Sequence, residues 1–352
     1  MHQEPGPWVE VDLGSLVRNA RRYHDLVGVP LLPMVKANGY GLGAVPVARA
    51  LEPLDPWGFG VATPEEGAAL RAAGITRPII SFIPLHPDRT DLYLSRDLRP
   101  VIGDLEALRV WTSRSQQPFH LEVDTGMARS GIRWEDSAAL ERARALLEAK
   151  GGGWEGVFTH FHSSDTDPAA TETQWRRLQD VIAALGRRPS LVHAANSAAA
   201  QAGPTYAADL ARPGIFLYGG AAGTLYPEPV ARLHARVVAV RRIPAGTTVG
   251  YGATWVVERD TVIATLGIGY ADGMHRTLGG RGQVDFNGRL ATIARVTIDM
   301  TMVAHVGEEV ESGEIATIFG GRWSLDDQAG AAGTISYELL TALGPRVARR
   351  YL

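Results

Sequence analysis

A lysine ends the apolar run Leu31 to Lys36, inside Val35-Lys36-Ala37-Asn38-Gly39-Tyr40-Gly41, where closely spaced glycines let a ligand approach the backbone. A lysine in that position can form an imine with a carbonyl compound. Taken alone, the segment suits a solvated lysine before a flexible loop as well. A phosphate-cradling loop is disfavoured, because Ala37 rather than Ser or Thr follows the lysine. Farther on, Glu122-Val123-Asp124-Thr125-Gly126-Met127-Ala128-Arg129 sets two carboxylates on one strand face and an arginine in the next turn. The guanidinium of Arg129 has the charge and the planar fork to clamp a carboxylate. The segment Thr159-His160-Phe161-His162, with Asp165 beyond it, also has a spacing that metal ligands would accept.

Three more segments carry polar side chains next to glycine. His193-Ala194-Ala195-Asn196-Ser197 and Arg212-Pro213-Gly214-Ile215 offer hydroxyl and backbone N–H groups of the kind that hold phosphate in barrel enzymes. Gly269-Tyr270-Ala271-Asp272-Gly273 is a tight loop with a tyrosine at its tip, a weak signal by itself. Tyr337, in Thr334-Ile335-Ser336-Tyr337-Glu338, reads on its own as core packing.

The elements that would position these residues fall into two groups. From about Gly14 to Tyr218, short apolar runs alternate with longer amphipathic stretches, the signature of repeated βα units. The strand candidates are Leu31 to Lys36, Trp57 to Ala62, Pro78 to Phe82, Arg99 to Ile102, Phe119 to Asp124, Gly156 to Phe161, Ser190 to Ala195 and Ile215 to Tyr218. Eight of them fit a closed (β/α)8 barrel, whose active site lies at the carboxyl ends of the strands. Thr63-Pro64-Glu65-Glu66 is a helix start with a capping threonine and a glutamate three residues on. The stretches Glu141 to Ala149 and Gln174 to Leu185 read as packing helices. Past about Pro229 the period changes to two, in Ala235 to Ile243, Thr261 to Ile268, Ala291 to Val306 and Glu314 to Phe319. The expected fold class is therefore α/β, a TIM-like barrel over 14–230 followed by a β-rich unit over 231–352, with strand 7–13 packing on the latter.

Composition narrows the functions. At 352 residues the chain is long enough for two domains, and 45% hydrophobic with 21% charged residues is ordinary for a globular protein. A net charge of -3 gives no field for a polyanion, so nucleic acid is not an expected partner. The sequence contains no run suited to spanning a bilayer and no secretory leader pattern at Met1 to Trp8, so a cytoplasmic location and no membrane partner are expected. Without cysteine, disulfides, iron–sulfur clusters and thiolate zinc sites are excluded.

Taken together and in order, these segments resemble the alanine racemases, a family of fold-type-III enzymes that use pyridoxal 5'-phosphate. The resemblance spans nearly the whole chain. It begins at Trp8-Val9-Glu10-Val11-Asp12-Leu13 and runs through the lysine segment, Val123-Asp124-Thr125-Gly126-Met127, Arg212-Pro213-Gly214-Ile215, Tyr251-Gly252-Ala253-Thr254, the Tyr270 loop and Tyr337. It implies interconversion of L- and D-alanine, with D-alanine supplied for cell-wall peptidoglycan. It further implies that Lys36 holds the cofactor as a Schiff base, that Tyr40, Asn196, Ser197, Gly214, Ile215 and Tyr337 surround its phosphate side, and that Arg212 faces the pyridine nitrogen. Tyr270 would serve as the second base from the other subunit of a homodimer with shared active sites. His160 would bond the tyrosine and link it to Arg212, with His193 beyond; Arg129 would take the substrate carboxylate near Ile298, and Asp299 would support the pocket. With His160 so used, His162 belongs to no motif and no metal site is expected.

The chain departs from the family pattern twice. Many relatives carry a carbamylated lysine where this chain has Glu122, and methionine where it has Ile298. Rival readings are a racemase of broader specificity, a decarboxylase or D-threonine aldolase of the same cofactor fold, a small pyridoxal-phosphate-binding homeostasis protein, and a metal-dependent barrel hydrolase. The homeostasis protein lacks a β-rich second unit.

Overall fold

The computed structural model describes residues 6–150, 152–307 and 309–352. Six short parallel strands, Phe59–Val61, Ile79–Ser81, Arg99–Ile102, Phe119–Asp124, Trp154–Phe158 and Leu191–His193, pair in chain order. Two less regular segments close the ring. Leu32 N donates to Ala211 O (2.8 Å) and Met34 N to Pro213 O (2.9 Å), while Val35 N donates to Gly60 O (2.8 Å) on the other side. Asp209 N donates to Val192 O (3.0 Å) and Arg212 N to Ala195 O (2.9 Å), which completes the circuit. The first segment forms single bridges rather than a ladder, since Pro30 and Pro33 have no N–H to give.

Helices cover the outside of this barrel. Thr63, Asp104 and Asp167 each accept a hydrogen bond from the backbone N–H three residues on, capping Pro64–Ala72, Leu105–Arg114 and Pro168–Ala184. The stretches expected to be packing helices lie within Ser137–Lys150 and Pro168–Ala184 or at their ends.

The eighth expected strand is a correction. Ile215–Tyr218 is a 3-10 helix with all four side chains fully buried, and the strand position belongs instead to residues 209 to 213. A continuous apolar run has no period to separate strand from helix. Pro213 and Gly214 end the pairing just before it.

The second unit is an antiparallel barrel. The long strand Ala231–Ile243 pairs with both Thr261–Leu266 and Ile315–Phe319, and Thr301–Ala304, Arg289–Val296 and Gln283–Phe286 fill the remaining positions. The expected single run Ala291 to Val306 is in fact a hairpin of two strands. Thr297, Ile298, Asp299 and Met300 make its turn, and their alternation of polar and apolar types hides the break. Trp8–Val11 joins this sheet, antiparallel to Ala231–Ile243 and parallel to Ala348–Tyr351. Among the described residues no helix is long and apolar enough to cross a membrane.

The last strand also fastens the two units at the lysine segment. Arg349 donates from Nε to Gly41 O (2.9 Å), from Nη1 to Gly344 O (2.7 Å) and Val347 O (2.5 Å), and from Nη2 to Leu343 O (2.7 Å). Gly41 is left-handed (φ 82°), and a Cβ on it would lie 2.2 Å from Leu340 O, so the helix Ser336–Thr341 can pack directly on the loop. Replacing Arg349 with Ala would strand several carbonyls at this seam. We expect a loss of about 2 to 3 kcal/mol in chemical denaturation; a change inside the ~0.5 kcal/mol usual for surface replacements would contradict the seam's importance.

Candidate active site

The carboxyl ends of the barrel strands carry the charged residues picked out from sequence. Lys36 follows the first segment and opens a turn in which Ala37 (φ 52°), Asn38 (φ 54°), Gly39 (φ 62°) and Tyr40 (φ 53°) are all left-handed. Three of these four are not glycine, so the backbone is strained, at about 1 to 2 kcal/mol per residue. The turn is held from several sides. Asn38 Oδ1 accepts from Ala44 N (3.1 Å), and Gly43 N donates to Asn38 O (2.7 Å). Glu66 accepts from Ala37 N at Oε1 and from Ala62 N at Oε2, both at 2.7 Å. The glutamate that reads as part of a capping box thus reaches across to brace the lysine turn, while Thr63 alone caps its helix by accepting from Glu66 N (3.3 Å).

Three cations meet at this mouth. Arg212 is buried; its guanidinium donates to His193 Nδ1 (2.6 Å), Thr159 O (2.8 Å) and Ala194 O (3.1 Å). Burial pulls it down to about 10, with nearby Glu122 opposing, so it stays charged at neutral pH. Lys36 is held below the ordinary lysine range, chiefly by burial and then by Arg129 and Arg212, with Glu66 opposing. Its amine makes no hydrogen bond among the described residues. Burial, followed by Arg212, Arg129 and Lys36, pushes His160 down to about 3, so this imidazole is neutral.

Arg129 stands on a loop pinned at both ends. Asp124 Oδ1 accepts from Gly126 N (2.9 Å) and Ala128 N (3.0 Å), and the short strand Ile132–Arg133 pairs with Val123 and Asp124. The guanidinium lies 3.7 Å from Glu122 Oε1, and Ser130 Oγ donates to Glu122 Oε2 (2.8 Å). Glu122 is buried, which raises its pKa against the lowering by Ser130, Arg129 and Arg212.

The remaining barrel residues gather around Gly214. Ser197 Oγ accepts from Gly214 N (2.8 Å) and Phe216 N (3.4 Å), and Ile215 is fully buried beside them. A Cβ on Gly214 would lie 2.3 Å from the Tyr40 hydroxyl. Tyr40 stacks on Tyr218 (ring centroids 4.5 Å apart) and faces Tyr337 at 6.0 Å; burial pushes Tyr337 up to about 12. Asn196 shapes the loop: its Oδ1 accepts from Ser164 Oγ, Ala198 N and Ala199 N. A cavity of about 730 Å³ opens here, lined by Arg129, His160, Asn196 and Tyr337 among others. His162 turns aside to Ser163 Oγ (2.7 Å), and among the described residues no cluster of His, Asp and Glu is set to hold a metal ion.

Two details differ from expectation. Arg212 bonds His193 directly, and no hydrogen bond joins it to His160 among the described residues. Tyr270 lies apart from this cluster. It occupies the turn Tyr270–Asp272, is 47% exposed, and lines a second cavity with Tyr251, Arg276 and Arg295, all from the β-rich unit. Its loop is laced to the 297–300 turn: Tyr270 N donates to Thr297 O (2.9 Å), Ala271 N to Ile298 O (3.0 Å), and Arg346 joins Asp272 (2.7 Å) to Asp299 (2.8 Å). Ile298, at 51% exposed, flanks it.

His120, Glu155 and Arg346 escaped the sequence reading, and Glu66 reads there only as a helix-start residue. His120 was within reach, since His120, Glu122 and Asp124 recur at every second residue and form a polar stripe down one face of an otherwise apolar strand. A further signal is that Lys36 is one of only two lysines in the chain.

Known proteins share this two-part architecture. The models for the alanine racemase N-terminal and C-terminal domains match residues 11–222 and 230–351. The chain belongs to the alanine racemase family. An alanine racemase of Carboxydothermus hydrogenoformans is 37% identical over 98% of this chain and 99% of its own length. Alanine racemase 2 of Bacillus subtilis is also 37% identical, over 98% and 94%. Among solved structures, the alanine racemase of the D-cycloserine producer Streptomyces lavendulae superposes with a TM-score of 0.91 at 32% identity, covering 100% of this chain and 98% of that one. As in other alanine racemases, the activity is that of an isomerase, interconverting L- and D-alanine.

The position of Lys36 has a measurable consequence. A lowered pKa means that the free amine appears at lower pH, so labelling by an amine-reactive reagent should reach half its maximum below the ordinary value of 10.5. Mass spectrometry with Lys150 as internal reference reads it. A Lys36 midpoint at or above 10.5 would contradict the buried, cation-flanked environment.

Proposed function

We propose that this alanine racemase works with pyridoxal 5'-phosphate held on Lys36, and that Lys36 of one protomer and Tyr270 of a second copy are the two bases. The observation that carries the reading is the separation within one chain. Lys36 sits unbonded among cations in the barrel mouth, while Tyr270 is half-exposed on a braced loop of the other unit and touches none of them.

The residues present suit that cofactor. Lys36, Arg129 and Arg212 converge on one mouth; of the carboxylates near it, Glu66 is engaged by two backbone amides, Glu122 by Ser130 and Arg129, and Asp326 by Ala221 N, while Asp165 also lines the cavity. The two guanidinium groups beside Lys36 favour an anionic guest there. The hydroxyls of Tyr40 and Tyr337 make no hydrogen bond among the described residues and stand beside Ser197, Gly214 and Ile215, a set of groups that can receive a phosphate. Arg212 would face the pyridine ring. Because a guanidinium does not readily release its proton, it offers the ring nitrogen a hydrogen bond without protonating it.

When bound, the cofactor withdraws electrons from the amino-acid α-carbon and makes its hydrogen acidic. Arg129, braced by Glu122 and Ser130, orients the substrate carboxylate. On one face the Lys36 amine takes or returns a proton; on the other the Tyr270 phenol does the reverse, so one proton leaves and one arrives per turnover. Neutral His160 can accept a hydrogen bond without adding a further positive charge. Ile298, on the turn laced to the Tyr270 loop, would border the space for the substrate side chain, and Asp299 holds that turn through Arg346.

A homodimer with shared sites follows, and exposed Tyr251, Tyr270, Ile298 and Ile335 are apolar surface for the partner to cover. The product D-alanine would serve the cell wall, and the site would lie in the cytoplasm.

Mixing two inactive variants tests the shared site. Lys36→Ala and Tyr270→Phe should each lose racemisation, yet a subunit-exchanged equal mixture should regain about one quarter of the wild-type rate, since half the dimers are mixed and each holds one intact site. No recovery would place both bases in one chain and overturn the reading. Tyr270→Phe alone should keep solvent exchange of the α-hydrogen for one enantiomer only; loss or retention for both would remove the tyrosine from its role.

Glu122 supplies a permanent carboxylate beside Arg129. Turnover should therefore be unchanged when bicarbonate and carbon dioxide are stripped from the buffer, and restoration of a lost rate by bicarbonate would refute this.

A further inference from the structure

A chain of buried polar groups runs from Arg212 down the barrel axis to the opposite end. Arg212 Nη1 meets His193 Nδ1 at 2.6 Å, His193 Nε2 meets His120 Nδ1 at 2.8 Å, and His120 Nε2 meets Glu155 Oε2 at 3.1 Å. Arg99 closes the far end, donating from Nε to Glu155 Oε2 (2.6 Å) and from Nη2 to Oε1 (3.3 Å). Arg99 and Glu155 lie at or next to the first residues of their strands, whereas Arg212 lies at the other mouth.

Hydrogen-bond chemistry leaves this chain one arrangement of protons. A guanidinium can only donate, so as long as Arg212 faces His193 Nδ1 that nitrogen is bare and the His193 proton sits on Nε2; without an acceptor at the far end both rings could reverse and Arg212 turn away. The His193 N–H points at His120 Nδ1, which must also be bare, so the second proton sits on His120 Nε2 and is donated to Glu155. The carboxylate can only accept, because bonds from His120 and Arg99 outweigh burial and hold its pKa below the usual range. A proton added to either imidazole would set two N–H groups against each other. Burial lowers both histidines, with Arg212 adding to it at His193 and Glu155 opposing it at His120, in agreement with two neutral rings.

The surroundings are shaped for these rings. A Cβ on Gly156 would lie 2.2 Å from His120 Nδ1, so only glycine leaves His120 its place. Phe158 stacks on His193 (4.9 Å, 9° between planes), and the same ring lies 5.2 Å from the Arg212 guanidinium.

We propose that Glu155 is a positioning residue for Arg212: through His120 it fixes the tautomer of His193, so the guanidinium is oriented by a neutral acceptor and keeps its charge for the mouth. A carboxylate placed directly on Arg212 would orient it equally well and cancel that charge. Here the negative end stands two imidazoles away, and polarisation along the chain strengthens each bond. The inference rests on the reading that Arg212 faces the cofactor ring.

15N NMR of histidine-labelled protein, loaded with pyridoxal phosphate and separately without it, tests this. His120 and His193 should each show a bare Nδ1 and a protonated Nε2 from about pH 6 to about pH 9. Glu155→Leu should give mixed tautomers at both rings and lower kcat about tenfold, with KM for alanine within about twofold, because Arg212 does not hold the substrate carboxylate. Glu155→Gln, whose amide oxygen can still accept from Arg99 and His120, should restore both the tautomers and most of kcat. An Nδ1–H or a doubly protonated ring in the wild type would overturn the proposal even if no variant folds. Unchanged tautomers and rate in Glu155→Leu would overturn it as well. Spectra of the unloaded protein report the tautomers whether or not Lys36 carries the cofactor, so failure of the two readings can be told apart.

Discussion

Everything at the barrel mouth depends on keeping a guanidinium ionised where water is largely excluded. Removing such a charge from water costs several kcal/mol unless its donors are satisfied. Arg212 meets that demand with the lone pairs of Thr159 O, Ala194 O and His193 Nδ1, none of which carries a formal charge. The positive potential therefore survives at the mouth, where, after burial, it contributes to keeping His160 neutral and to lowering Lys36. The barrel converts a solvation problem into an electrostatic field aimed at one point.

The second constraint is geometric. A lysine at the end of a strand can point in many directions, and this one is fixed by a backbone that no run of ordinary residues adopts freely. Four consecutive left-handed residues persist because Glu66, Asn38 and the helix Ser336–Thr341 each hold the turn from a different side. The same helix carries Tyr337 toward Tyr40, so the strain that orients the amine also brings together two phenols.

Much of this was legible in the sequence, and the failures have physical causes. Strands with clear boundaries, such as Arg99–Ile102 and Phe119–Asp124, were read to the residue, because turn formers flank them: Asp97 and Gly103 around the first, Pro118 and Gly126 around the second. Ile215–Tyr218 was misread, since four buried apolar residues look alike in either secondary structure. The 297–300 turn was hidden because its Thr, Ile, Asp and Met continue the alternation of the strands it joins. Lys36, Tyr270 and Arg212 stand near glycines and could be singled out; residues that brace the mouth, such as Glu66 and Glu155, lie at ordinary helix and strand positions. Their meaning comes from partners distant in sequence: Glu66 is 29 residues from Ala37, and Glu155 is 35 from His120.

The strand Trp8–Val11 adds a temporal dimension. Its two neighbours in the sheet are Ala231–Ile243 and Ala348–Tyr351, so this segment leaves the ribosome long before either partner. All barrel segments have been synthesised by residue 213, well before either neighbour, and contacts so remote in sequence form slowly. Until then Trp8, Val9 and Val11 present an unpaired, apolar edge, the kind of surface on which nascent chains aggregate and chaperones act. Pairing with Ala348–Tyr351 makes the synthesis of that strand the event that closes the edge.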